Sequence, residues 1–94
     1  MTTGMTEVED LSSRLTALET VVRQLLTHLA VRADDPPSWV ATRRVLALHA
    51  VHEDPVLADD PHARVGTENA ITGFFDQVEG IVEAYVATPE HVAR

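Results

Sequence analysis

The sequence contains no cysteine and no lysine, and it has only four aromatic residues. Without cysteine the chain can form no disulfide, no thiolate zinc site and no cysteine nucleophile. All seven basic residues are arginine, which is typical of a GC-rich bacterial genome. A core must therefore consist mainly of Leu, Val and Ala, and we expect the four rings to be buried in it or, where one stays exposed, to contact a partner. These rings belong to Trp39, Phe74, Phe75 and Tyr85.

Long hydrophobic runs are also absent. No apolar segment approaches the roughly 18 residues of a membrane span, and the first ten residues lack the basic and apolar regions of a signal peptide. We therefore expect a cytoplasmic protein that does not bind membranes. The net charge is −8, and the pair Arg43-Arg44 is too short for a basic stripe, so we expect no direct binding to nucleic acid.

A heptad repeat of branched apolar residues near the start is the main positive feature of the sequence. Such a repeat predicts a coiled-coil seam, with a dimer favoured, a higher oligomer open and the orientation of the helices undecided. Thr6 and Glu9 fit a capping box, so the helix should run from about residue 6 to 32, after a disordered tail at 1–5. The repeat, which is the predicted oligomer interface, consists of Val8, Leu11, Leu15, Leu18, Val22, Leu25 and Leu29.

The two halves of this repeat differ in width. Polar residues such as Ser12 and Arg14 flank the stripe up to Leu18, which favours pairing with the same helix of another copy. From Val21 onward, additional apolar residues such as Leu26 widen the stripe, so the second half up to Leu29 should form the floor of the protein's own core. The alternative is that the whole stripe packs inside a monomeric three-helix bundle.

The remaining sequence predicts two further helices and no strands, because no segment shows period-2 alternation. One helix spans about 36–52, with Asp35 or Ser38 as N-cap, and the other spans about 67–88. A short-helical connector ending at Gly66 joins them, and residues 33–94 form a helical head on the stem. The fold class is therefore an all-α bundle in a single domain. Gly73 and Gly80 each cost a helix about 1 kcal/mol, so we expect another helix or a bulky side chain to lie against them.

Two groups of polar residues are candidate sites. His49, His52, Glu53 and His62 could assemble a His/carboxylate metal site if the connector folds back, although solvated or capping histidines explain them equally well. These four therefore define the alternative of a metal-binding helical protein.

The second group is acidic. Asp76, Glu79 and Glu83 share one helix face and could form an acidic binding surface for a basic partner protein. A small inhibitor that mimics nucleic acid is the corresponding alternative function. No catalytic or cofactor motif is present, so we expect a non-enzymatic, homo-oligomeric interaction or scaffold module without a cofactor.

Overall fold

The computed structural model describes residues 6–87, which fold into four helices without a strand. This confirms the all-α fold class and the short-helical connector. The predicted tail at 1–5 and the predicted last helical residue, 88, lie outside the described residues. The helices are α1 (Glu7–Ala30), α2 (Pro36–Glu53), α3 (Pro55–Ala58) and α4 (Pro61–Val86).

The capping box at the start of α1 is present as predicted. The backbone N–H of Glu9 donates to the hydroxyl of Thr6 over 3.0 Å, and the backbone N–H of Thr6 donates to the Glu9 carboxylate over 2.8 Å. The N–H of Thr6, helped by its side chain, holds the pKa of the Glu9 carboxyl below its usual range. Local chemistry therefore fixes where α1 begins.

The other three helices begin with the same dipeptide, Asp followed by Pro. The Asp side chain accepts a hydrogen bond from a backbone N–H of the first turn, while the proline has no N–H to satisfy. Asp35 is therefore the N-cap of α2, which decides between the two predicted alternatives. The hydrogen bonds are 3.2 Å from Ser38 to Asp35, 2.9 Å from Val56 to Asp54 and 3.1 Å from Ala63 to Asp60.

The predicted start of the last helix is wrong by six residues. The helix begins at Pro61 rather than at Thr67, and Gly66 lies inside it instead of ending the connector. The Thr67 hydroxyl does not cap a helix but donates to the carbonyl oxygen of Ala63, one turn earlier, over 2.8 Å. The cap at Asp60 starts the helix, and a cost of about 1 kcal/mol for an internal glycine is too small to end it.

The hydrophobic core lies where α1, α2 and α4 meet. Phe75 is buried as predicted and packs edge-to-face on half-buried Phe74, with the ring centroids 5.6 Å apart. Trp39 is half-buried against the same core, whereas Tyr85 remains 38% exposed and is not a core residue. The fully packed cluster consists of Ala30, Val40, Phe75, Val78 and Val82.

The molecule is flat. Its Cα atoms span 52 × 40 × 15 Å, and the smallest dimension equals the width of two packed helices, roughly 13 to 15 Å. The radius of gyration is 16.7 Å, whereas a compact domain of this length has a value of about 12 Å. α4 contacts each of the other helices, and α1 contacts α4 and α2. Two helix layers leave much apolar surface uncovered.

Candidate interaction surface on the first helix

The heptad repeat of α1 forms an exposed apolar strip, which we call the leucine stripe. Its members are the seven residues of the predicted seam, from Val8 to Leu29. All of them are more than half exposed except Val22, which is half-buried. In a soluble protein, a continuous apolar strip of this kind marks a surface that contacts another molecule.

The first half of α1 is almost entirely exposed, and it borders α4 only at its end, at Leu18 and Glu19. Between residues 7 and 19, every side chain is exposed except that of Asp10, which is half-buried. This segment is about 20 Å long. Arg14 contacts Asp10, one turn earlier on the same helix, over 3.1 Å. Isolated helices of about 12 to 15 residues are marginal in water, so a packing partner along the stripe would stabilise this segment considerably.

The second half of α1 contributes to the core through Leu26, as predicted, but its stripe residues Leu25 and Leu29 do not form the floor of the core. Leu25, Leu29 and Val21 are all more than half exposed. Leu26 and Ala30 pack into the core instead. They lie about a quarter turn around the helix from the stripe, and the small Ala30 side chain permits close packing of the neighbouring helices. The stripe therefore faces outward along the full length of α1.

An apolar groove lies between α1 and α4, beside the leucine stripe. Leu18 and Val22 belong to both the stripe and the groove, so the two surfaces are continuous. The groove has a volume of about 250 Å³. Of its residues on α4, Ala70 and Ile71 were not predicted as part of a site, because the crossing of α4 over α1 brings them there and no local signal in the sequence encodes that crossing. The lining residues are Leu18, Glu19, Val22, Ala70, Ile71 and Phe74.

A second groove, with a more polar lining, lies at the same helix crossing. It has a volume of about 410 Å³ and includes His28 of α1 and Ile81 of α4. Arg23 of α1 donates to the side-chain oxygen of Gln77 of α4 over 2.8 Å. This hydrogen bond ties α1 to α4, so the groove beside the leucine stripe is bounded by a fixed helix pair.

The candidate metal ligands do not converge on one site. Nε2 of His49 lies 3.8 Å from the carboxylate of Glu53 on the same helix, and Nε2 of His52 lies 3.3 Å from the carboxylate of Glu68 on α4. His62 is exposed in the first turn of α4. Within residues 6–87, no three His, Asp or Glu side chains come together as a cation site.

The candidate acidic face contacts an arginine of the same chain. Arg44 of α2 donates to the carboxylate of Asp76 over 2.9 Å and to the carbonyl oxygen of Thr72 over 3.3 Å, and it lies 3.9 Å from the carboxylate of Glu79. Glu83 is exposed further along α4. Two of the three predicted carboxylates therefore stabilise the contact between α2 and α4, which reduces the charge they present to a partner.

Three glycines lie on the outward side of α4, seven residues apart. They are Gly66, Gly73 and Gly80, and a Cβ atom built on any of them meets no atom within 4 Å. The prediction that another helix or a bulky side chain lies against Gly73 and Gly80 is therefore wrong for the chain itself. Their side of α4 is open because the core forms on the opposite side of the helix.

Among residues 6–87, no helix combines the length and apolar character needed to cross a membrane. Comparison of the chain with protein-family models, with curated proteins and with solved structures gives no match.

Proposed function

We propose that this protein is a non-catalytic, homo-oligomeric interaction module that assembles through α1 as a coiled coil and serves as a scaffold or adaptor. The observation that carries the proposal is the exposure of the leucine stripe along the whole of α1. Between residues 7 and 17 of that helix, only the side chain of Asp10 is even half-buried, so little packing stabilises this segment. A second copy of α1 supplies the missing apolar contact.

The accessible surface of the chain supports this proposal. The chain exposes 6932 Å², whereas a compact monomer of 10.3 kDa exposes about 5,400 Å². The excess of about 1,500 Å² is larger than the roughly 800 Å² that each partner buries in a stable interface of standard size. The exposed residues of the leucine stripe contribute apolar area to this excess, which favours pairing through α1.

The distribution of charge also favours α1 as the site of self-association. Two copies that each carry a net charge of −8 repel one another overall. Between residues 7 and 30, however, four acidic residues face two arginines, and the larger excess of acidic residues lies in the rest of the chain. Repulsion between two copies is therefore weakest where their α1 helices meet.

Substitution of Leu18 by Glu tests the proposal. Leu18 lies at the middle of the leucine stripe, so a carboxylate there would be buried without a partner in the seam, which is strongly unfavourable. We expect the wild-type protein to have a mass that is a multiple of 10.3 kDa by light scattering, and Leu18→Glu to be monomeric.

Leu46→Glu is the matched control. Leu46 is similarly exposed, at 52% against 59% for Leu18, but it lies on α2, away from the stripe. This variant should remain an oligomer. A monomeric wild-type protein, or equal loss of assembly in both variants, would contradict the proposal.

A further inference from the structure

We infer that the second copy docks parallel and in register, so that Val21 of each chain closes the groove between α1 and α4 of the other. This inference rests on the proposed function and adds the orientation, the register and a contact outside the coiled-coil seam.

The charged residues beside the stripe match in a parallel pair. With Val8 at heptad position a, the g positions are held by Glu7, Arg14, Val21 and His28, and the e positions by Ser12, Glu19 and Leu26. In a parallel coiled coil, each g side chain lies against the e side chain five residues further along the other helix. Arg14 of one chain therefore faces Glu19 of the other, and this pair of opposite charges occurs twice in a symmetric dimer.

An antiparallel pair loses this match. In that arrangement g positions face g positions and e positions face e positions. Depending on the register, Arg14 then lies beside Val21, His28 or a second Arg14, and Glu19 lies beside Ser12, Leu26 or a second Glu19, so neither meets an opposite charge. Each exposed ion pair contributes at most about 1 kcal/mol, but such pairs set the orientation of coiled coils in which the apolar seam is otherwise compatible with both directions.

The width of the stripe matches only in the parallel arrangement. The narrow first half of each helix then meets its counterpart, and the wider half, which includes exposed Val21, meets the wider half of the other copy. In an antiparallel pair, the wide half would lie against the polar flanks of the narrow half. Parallel docking thus covers Val21 with apolar surface, which favours it further.

The groove supplies that apolar surface. It opens on the side of α1 that carries Val22, and in a parallel pair Val21 of the second copy lies beside Val22 of the first chain. Ala70, Ile71 and Phe74 of α4 form its far wall. Its volume of about 250 Å³ accommodates the side chain of Val21 from the second copy. The interface is therefore a four-helix contact, with α4 of each chain beside α1 of the other.

Single cysteines test the orientation directly, because the wild-type chain has none. We would prepare Val8→Cys and Leu25→Cys separately and oxidise each alone and in a one-to-one mixture. A parallel, in-register pair brings each cysteine close to its own copy, so each variant alone should form a disulfide-linked dimer, and the mixture should give only these two species. Ser13→Cys, on the opposite side of α1, is the control and should remain uncrosslinked.

The contact of Val21 with the groove is tested separately, by two charge substitutions in the wild-type chain. Val21→Glu should prevent the contact with α4 and weaken the dimer at least tenfold in Kd, whereas Gln24→Glu, which adds the same charge outside the seam, should change Kd less than threefold. Equal effects of the two substitutions would overturn the groove contact.

The outcomes separate this inference from the proposed function. Cross-linking of Val8→Cys to Leu25→Cys in the mixture, with neither variant cross-linking alone, would show an antiparallel dimer and overturn the inference while the proposed function stands. A wild-type protein that is monomeric by light scattering, together with no cross-linking above the Ser13→Cys control, would overturn both.

Discussion

Replacement of the outward-facing glycines of α4 by alanine should stabilise the protein. At Gly73 and Gly80 a new Cβ meets no atom within 4 Å, so the change neither creates a clash nor adds a contact. What remains is helix propensity, since glycine in a helix interior is about 1 kcal/mol less favourable than alanine. Each single substitution should therefore raise the free energy of unfolding by about 1 kcal/mol.

The double variant provides a check on additivity. The two positions are seven residues apart, about 10 Å along the helix, and they share no neighbour. Their effects should add to about 2 kcal/mol, which raises the melting temperature of a domain of this size by roughly 8 to 16 °C. Ala41→Gly, at an exposed position of α2, is the reverse control and should lower stability by about 1 kcal/mol.

Urea unfolding followed by circular dichroism at 222 nm measures these changes. All variants must be compared at one chain concentration, because unfolding of an oligomer is coupled to its dissociation. The slope of the transition should not change, since the buried surface is the same. Destabilisation of Gly73→Ala or Gly80→Ala by 1 kcal/mol or more would refute the reasoning, because it would mean that another copy packs on this side of α4.

Three further predictions concern the fold. Val78→Ala shortens a fully buried side chain and should lower the free energy of unfolding by about 2 kcal/mol in a urea titration; a change below about 0.5 kcal/mol would contradict the proposed core. Arg44→Ala removes the hydrogen bonds of the guanidinium group to α4 and should lower the free energy of unfolding by about 1 to 2 kcal/mol, and salt should reduce this loss because Asp76 is exposed. Wild-type stability in Arg44→Met would show that the charge of Arg44 does not contribute. Thr6→Ala should cost about 1 kcal/mol at neutral pH. Because the folded-state pKa of Glu9 lies below its unfolded value, the stability it contributes at neutral pH is lost as the pH falls through the folded-state pKa, so the cost of the companion variant Glu9→Ala should shrink between pH 7 and pH 3. A cost that grows on acidification would show that the pKa of Glu9 is not lowered in the folded state.

The helix starts could be predicted wherever a local signal acts alone. The capping box of Thr6 and Glu9 depends on residues within one turn and is present in the structure, whereas the second helix offered two caps, Asp35 and Ser38, and the structure selects Asp35. At Asp60 two local signals conflicted, since the following Gly66 favours a helix end. The structure shows that the capping aspartate and the proline after it prevail over the glycine.

The arrangement of the helices could not be predicted in the same way. Leu25, Leu26 and Leu29 are equally apolar in the sequence, yet only Leu26 faces the core, because α4 packs about a quarter turn away from the leucine stripe. Likewise, the contact of Arg44 with Asp76 joins positions 32 residues apart. Such contacts depend on how the helices cross, and the heptad pattern of one helix carries no information about that crossing.

The molar mass of the wild-type protein decides between a chain that self-associates through α1 and a monomer. Sedimentation equilibrium in a non-denaturing buffer, at several loading concentrations, gives this mass independently of molecular shape. The account predicts a mass of about twice 10.3 kDa for the favoured dimer, with dissociation only on dilution. A mass of 10.3 kDa at every concentration up to the millimolar range, for a protein that circular dichroism shows to be folded, would contradict it.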